Sequence, residues 1–256
     1  MNKLISIDLF ADFGMLKKPD TNEPVYLTFN MLHKPALLGI IGAIIGEKGF
    51  QKFGELPDYY KKLKDLKVSI QPLNHENGNY QKTIITYNNT TGMASKETGG
   101  NLMITEQTLI APAYRCYFLL DFENPLHQKI DENLSKYHAE YLPYLGKNEF
   151  SVWWKEYKAY LEIIDFNFSK EYKIESIFYK NETVSKYVAA AFGRAARNEI
   201  ETRFLYFERL PIRYNEDEKL IQYEYTDFVF TNTKFETDLK IENIKVINNE
   251  SIIQLF

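Results

Sequence analysis

Two short stretches hold residue types suited to gripping a polyanion. Ahead of an apolar run stand Lys17, Lys18, Thr28, Asn30, His33 and Lys34, a polar and cationic set with no evident core role. Much later, Gly146 precedes Lys147, Asn148, Glu149 and Phe150. Glycine takes positive φ readily, so the chain can turn sharply there. Lys147 would then pair with a phosphate, Asn148 read a base edge and Phe150 stack on a base. The plainer alternative is a packed connection in which Phe150 and Trp153 cap the core. Trp153 and Trp154 are adjacent, so they point to different sides in a helix or a strand.

Two weaker groups join these. Arg194 and Arg197 follow Gly193 three apart, hence on one face of a helix, next to Ala189, Ala190 and Ala191, which leave room for phosphates. The segment NTTGMASKETGG and the residues before it bring Asn88, Asn89, Thr90, Met93 and Lys96 to a Gly- and Asn-rich tip, able to touch phosphates or wedge against a base. A solvated helix face and a surface loop are the bland readings of the two. Catalysis has thinner support. His33, His75, His127 and His138 are the only histidines, and none stands in a metal-binding spacing. No nucleophile elbow, phosphate loop or dinucleotide fingerprint occurs, and no cofactor or metal is expected. A Lys/His/Tyr set would supply a base that raises a 2′-hydroxyl's nucleophilicity and a cation that stabilises a phosphorane, with His33 and Lys34 the obvious candidates.

The elements that must position these residues are legible. Leu4–Phe10 predicts a strand and Lys34–Lys48 a helix, with Pro35 suited to its first turn. Gly39, Gly42 and Gly46 form a bare stripe along that helix, read as the face that presses onto a sheet, while Ala, Leu and Ile elsewhere imply burial. Asp58–Lys67 predicts a short amphipathic helix through Tyr59, Leu63 and Leu66, and Val68–Leu73 is extended. Tyr80–Asn88 and Asn101–Ala111 predict a hairpin, Tyr114–Phe122 an apolar strand and Pro125–His138 a helix. Val184–Asn198 suits a helix or an ordered loop, and Thr202–Tyr214 with Leu220–Thr231 a terminal hairpin around Asn215–Asp217. This alternation favours an α+β class.

Composition bounds the rest. The 256 residues are 45% hydrophobic and 15% aromatic, enough to bury a sizeable core. Net charge is −4, but polyanion affinity follows local placement. Lys186–Arg213 has six basic against three acidic residues, and Tyr214–Phe256 four against nine. The acidic end therefore suits solvent or a protein partner better than RNA. The lone Cys116 rules out an internal disulfide. The first residues lack a signal peptide's apolar core, and the run Pro35–Gly46 is too short to span a bilayer, so a cytoplasmic setting with no membrane partner is expected.

The strand, the KKPDTN loop, YLTFNMLHKPALLGIIGAIIG and the later YLGKNEF together resemble the fifth family of CRISPR-associated proteins, in particular its type I-B form. The likeness runs from Leu4 to about Phe235. It implies a ferredoxin-like (RNA-recognition-motif, RAMP) domain over 1–235, a thumb hairpin at about 80–111 and a β-rich C-terminal lobe, with 236–256 an acidic extension of the same domain. It also implies a non-catalytic subunit that caps the Cascade complex, holds the 5′ handle of crRNA and adjoins the backbone and large subunits, with target DNA near the protospacer-adjacent motif as a further contact. On that reading Lys17, Lys18, Lys34, Lys147, Arg194 and Arg197 neutralise phosphates. Asn30, His33 and Asn148 bond to splayed bases or 2′-hydroxyls, Phe150 stacks, and Asn89 and Lys96 act from the thumb. The type I-C branch of the family instead cuts repeat RNA without a metal, which keeps an endoribonuclease as the alternative.

Overall fold

The computed structural model describes residues 2–19, 24–89, 102–182, 184, 186, 203–216, 221–248 and 250–256. In chain order its elements are β1 Asn2–Ala11, β2 Phe13–Gly14, β3 Leu16–Lys17, β4 Val25–Tyr26, β5 Thr28–Phe29, α1 Lys34–Ile44 and α2 Asp58–Leu63. There follow β6 Lys67–Leu73, β7 Lys82–Asn89, β8 Leu102–Ile110, β9 Ala113–Asp121 and α3 Pro125–Ser135. The remainder holds β10 Val152–Tyr160, β11 Ile163–Asp165, β12 Phe178–Tyr179, β13 Leu205–Asn215, β14 Gln222–Thr231, β15 Ile244–Ile247 and β16 Ser251–Gln254.

The central sheet has the order β10-β1-β9-β6, antiparallel throughout. Strand alternation explains why β1 sits inside it. Ile5, Ile7 and Leu9 join the core beneath α1 and α3, while Leu4, on the other face, packs with Tyr117, Ile253 and Leu255. The sheet strands and the two long helices alternate along the chain as β1–α1–β6–β9–α3–β10. The α1 core residues Leu37, Leu38, Ile41 and Ile44 are fully buried, as its nearly unbroken apolar sequence requires.

Helix α1 stops earlier than the sequence pattern suggests, because Gly46 takes φ +78°. Its N–H reaches the Ala43 carbonyl and the Glu47 N–H the Gly42 carbonyl, the paired bonds of a Schellman end. Gly39 and Gly42 face Tyr59 of α2 rather than the sheet, and Gly46 faces Glu140. A Cβ on Gly42 would lie 2.5 Å from Tyr59 Cβ, so the bare backbone is what lets Tyr59 seat there.

The hairpin forms as expected, β7 pairing with β8 from Lys82↔Leu109 to Asn89↔Leu102. The other edge of β8 takes β2 antiparallel and β4 parallel, which roots the hairpin in the first loop of the chain. The C-terminal lobe holds two three-stranded sheets, β11-β15-β16 and β12-β14-β13. Pro211 sits where the β13–β14 register shifts, at an irregularity that tolerates a missing donor. The acidic end is not a loose solvent-facing tail. Glu236, Asp238, Glu242 and Glu250 point outward, but Ile252, Ile253, Leu255 and Phe256 are buried. Phe256 exchanges backbone hydrogen bonds with Val68 of β6, at 2.9 and 3.1 Å.

One carboxylate ties the lobe to the loop ahead of α1. Glu208 of β13, whose side chain is 7% exposed, accepts from the Asn30 and Met31 N–H groups at 3.0 and 2.9 Å and pairs with Lys18 at 3.5 Å. Glu208→Ala would strand two N–H groups and is expected to cost about 2–3 kcal/mol in urea unfolding. Glu208→Gln should recover part of that; equal stability of all three proteins would refute the tie. Among the described residues no helix is long and apolar enough to cross a membrane.

Candidate nucleic-acid interface

A groove of about 740 Å³ opens beside α1. Its lining includes Tyr26 of β4, Pro35, Ala36, Gly39 and Ala43 of α1, and Tyr141, Leu142 and Tyr144–Lys147 from the loop after α3. Tyr87 and Glu106 line it from the β7–β8 hairpin, together with Tyr59, Tyr214 and Tyr223. A second hollow of about 940 Å³ shares Phe50, Gln51, Tyr214 and Tyr223 and continues to Phe53 and Tyr225. Tyr214 and Tyr223 are stacked at 4.8 Å, while Phe53 is 96% exposed.

That loop is held by its backbone. Glu140 and Tyr141 donate to the last carbonyls of α1, Ile44 and Ala43, at 3.0 and 3.1 Å, so the loop completes the helix end. Asn133 of α3 also donates to the Ile44 carbonyl. Met15 N–H bonds Leu145 O at 3.1 Å, and Gly146, at φ +84°, lies against the Met15 carbonyl. Bonds Leu145 N–H to Phe150 O and Phe150 N–H to Lys147 O then fold KNEF into a turn.

The structure sorts the sequence-derived candidates. Lys17 is exposed, on the groove, with its ammonium 3.6 Å from the centre of the Tyr26 ring. Lys18 is engaged with Glu208 and lies 5.2 Å from the Phe29 ring centre. Lys147 is on the groove wall, but Glu106 and Glu149 neutralise it at 2.7 and 3.0 Å. Partial burial works against its charge, yet its bonds to Glu106, Tyr87 and Glu149 raise the ammonium above lysine's ordinary value. Asn148 is exposed on the turn. Asn89 ends β7 opposite Leu102. Lys96, Arg194 and Arg197 lie outside the described residues.

Four assignments need correction. Asn30 is 3% exposed and spent internally: its amide donates to Gly78 O and accepts from Tyr80 N–H and Lys82 Nζ. His33 caps α1, its Nδ1 accepting from Ala36 N–H, with its ring edge-on between Phe29 and Tyr223. Burial pushes that imidazole down to about 3. Lys34 runs into the core, where Nζ donates to the Phe256 carbonyl, and burial ahead of the nearby Lys67 charge lowers it to about 8. Phe150 is 9% exposed, packed on Phe13 with ring centres 6.0 Å apart, so it caps the core instead of offering a stacking face. Of the tryptophans, Trp154 is buried and donates to Leu134 O, while Trp153 stays 39% exposed.

Sequence reasoning missed the tyrosines. Tyr26, Tyr59, Tyr141, Tyr144, Tyr214 and Tyr223 come from four separate stretches, and only the fold gathers them. Burial raises Tyr59 to about 12, so it stays a neutral phenol able to donate. The arrangement offers ring faces, phenolic donors and the cations Lys17 and Lys48, a chemistry that accepts unpaired bases and their backbone. Among the described residues no cluster of three or more His, Cys, Asp or Glu could hold a metal ion.

No family model and no curated protein matches this chain. Among solved structures it is similar to a CRISPR protein from Archaeoglobus fulgidus (11% identity, 99% of this chain and 98% of that one, TM-score 0.48). It is also similar to a chain of a CRISPR RNA-guided surveillance complex (10% identity, 90% of each chain, TM-score 0.47). A third, described as a Cas protein, aligns at 12% identity with a TM-score of 0.35, and this chain spans 57% of its length.

Proposed function

We propose that this chain is a non-catalytic subunit of a type I CRISPR surveillance complex, of the I-B kind, and that its groove holds the 5′ handle of the guide RNA. One observation carries the reading. The two segments on which the sequence resemblance rests, YLTFNMLHKPALLGIIGAIIG and YLGKNEF, lie far apart in the chain yet both contribute residues to the lining of one groove. The strand order and the β–α–β–β–α–β path fit the ferredoxin-like domain such a subunit would have, with β7–β8 as its thumb. Lys17 and Lys48 would meet phosphates, the tyrosines would stack or bond to bases, and Asn148 would reach a base edge. The backbone and large subunits would complete the site, and base pairing, not this chain, would read the target.

His33 and Lys34 give the endoribonuclease alternative little support. The imidazole is a weak base with Nδ1 already engaged, and the ammonium points into the core. Binding of the purified chain to repeat-derived RNA carrying the handle should be compared with scrambled RNA across a salt series, with and without the backbone subunit and in EDTA. Handle-specific binding without cutting is expected. Lys17→Glu should weaken it about tenfold and lower the salt slope by roughly one. Site-specific cutting would make the chain a processing nuclease, and loss of all specificity even with the partner present would leave it a protein-contact role only.

A further inference from the structure

An open strand edge is a row of unpaired N–H and C=O groups, a template for a further strand unless the fold guards it. The other long edges among the described residues are guarded. In the central sheet β6 is capped by Phe256, which exchanges backbone bonds with Val68, and by Ile177, whose N–H donates to Ile70 O at 2.8 Å. At the opposite edge β10 carries Lys155, Glu156 and Lys158, and its register with β1 shifts where Glu156 takes φ +54°. Charges at a bulge oppose strand addition. In the C-terminal lobe the edge strand β13 is interrupted at Pro211 and bears Arg209 and Arg213.

Strand β7 has none of these guards. It pairs with β8 without a break in register from Lys82↔Leu109 to Asn89↔Leu102, and among the described residues no strand pairs with its other side. An antiparallel strand turns its N–H and C=O groups to its two sides in alternation, so about half of those on β7 face outward. From Thr83 to Asn89 there is no charged residue, and Thr83 to Tyr87 are all β-branched or aromatic, the types that favour pairing. Lys82, the one charge in the strand, is spent on Asn30 Oδ1 at 2.7 Å. Alternation sets Ile84 and Thr86 on one face of the hairpin with Thr105 and Met103, and Ile84 and Met103 are 55% and 58% exposed.

We infer that the outer edge of β7 is a docking site for an extended segment of a protein partner, which adds a strand to the hairpin. The chemistry of the edge selects this occupant. Alternating main-chain donors and acceptors are matched by another extended peptide backbone, whereas a phosphate backbone offers acceptors without the matching donors. The uncharged strand, with Ile84 and Met103 exposed beside it, suits apolar or β-branched side chains on the incoming segment and gives a polyanion no cation to pair with. The groove lies on the other face of the hairpin, through Tyr87 and Glu106, so this edge is separate from the proposed handle site.

Hydrogen exchange on the intact chain tests this. In the free protein the outward amides of β7 should exchange fast, while their neighbours bonded to β8 are protected. A short peptide alternating threonine with valine between terminal lysines should slow the outward amides at every second residue, and leave β10 unchanged. The same peptide with every amide N-methylated should have no effect, because it cannot pair. Ile84→Lys, at an exposed position, should weaken peptide binding about fivefold, since a lysine on an edge strand opposes strand addition. A polyanion would instead bind that variant more tightly. Lys17→Glu in the groove should leave the protection intact, so failure here and failure of handle binding are told apart. Absence of protection, or protection that survives N-methylation, would overturn the inference. So would oligouridylate that protects the same amides, more strongly in Ile84→Lys, which would make the edge a nucleic-acid surface. Dimers in sedimentation that Ile84→Lys disperses would likewise overturn it, by giving the edge to a second copy of the chain.

Discussion

Gly146→Ala is expected to destabilise the protein by about 4 kcal/mol and to abolish the loop wall of the groove. At φ +84° an L-residue is already strained. The larger effect is steric, because the new Cβ would lie 1.9 Å from the Met15 carbonyl oxygen and 2.7 Å from its carbon. Those are backbone atoms, held by the Met15–Leu145 hydrogen bond at 3.1 Å, and no side-chain rotation can relieve the clash. The loop must move away, taking Leu145 and Lys147 with it. Two substitutions on α1 calibrate the result. At Gly39 a Cβ meets only the far end of the Tyr59 side chain, at 3.5–3.8 Å, so Gly39→Ala should be neutral or gain up to about 1 kcal/mol from helix propensity. At Gly42 it meets Tyr59 Cβ at 2.5 Å, the rigid root of the side chain, and Gly42→Ala should destabilise. Urea midpoints of the three variants should rank Gly39→Ala highest and Gly146→Ala lowest. A Gly146→Ala protein as stable as its parent would refute the packed loop.

The contrast between these glycines shows what the sequence could and could not convey. Periodicity located three of the four strands of the central sheet, since alternation and helical spacing are local properties: the strand at Leu4–Phe10 is β1, Val68–Leu73 is β6, the run Tyr114–Phe122 is β9, and Pro125 opens α3 where it was expected, whereas β10 carried no such signal. The terminal hairpin is likewise β13 and β14. Burial of polar residues was not legible in the same way. Asn30, His33 and Lys34 read as a surface set because most of what engages them is distant in the chain: Gly78, Tyr80 and Lys82 take up the Asn30 amide, Tyr223 packs on the His33 ring beside Phe29, and the Phe256 carbonyl receives Lys34. The groove was half legible. Two stretches of its lining were marked by their motifs, but Tyr59, Tyr214 and Tyr223 look like ordinary core or strand tyrosines until α2 and the β13–β14 hairpin bring them together.

His33 carries the other large effect, and it is one of pH. The unfolded imidazole takes up a proton near pH 6.5, but the buried ring does so only near 3. Between those values the unfolded chain binds one more proton than the folded one, so stability falls as pH falls, by about 1.4 kcal/mol per unit. Across the window the loss amounts to about 4 kcal/mol, comparable to the whole stability of a small domain. Burial moves His75 and His127 in the same direction, and carboxylates titrate below, so the wild-type curve alone does not isolate His33. His33→Asn does. Asparagine is a strong N-cap in the extended backbone that His33 adopts, φ −114° and ψ 157°, and can accept the Ala36 N–H in place of Nδ1. The variant loses some packing against Phe29 and Tyr223 at neutral pH, yet its stability should decline less steeply in acid, by about one proton's worth of slope. Parallel curves for the two proteins between pH 6.5 and 4 would mean that the ring is not held neutral by burial. If the slope does change while handle-RNA affinity at neutral pH stays the same, His33 acts as a helix cap that sets the groove wall, and neither base catalysis nor base recognition needs its imidazole.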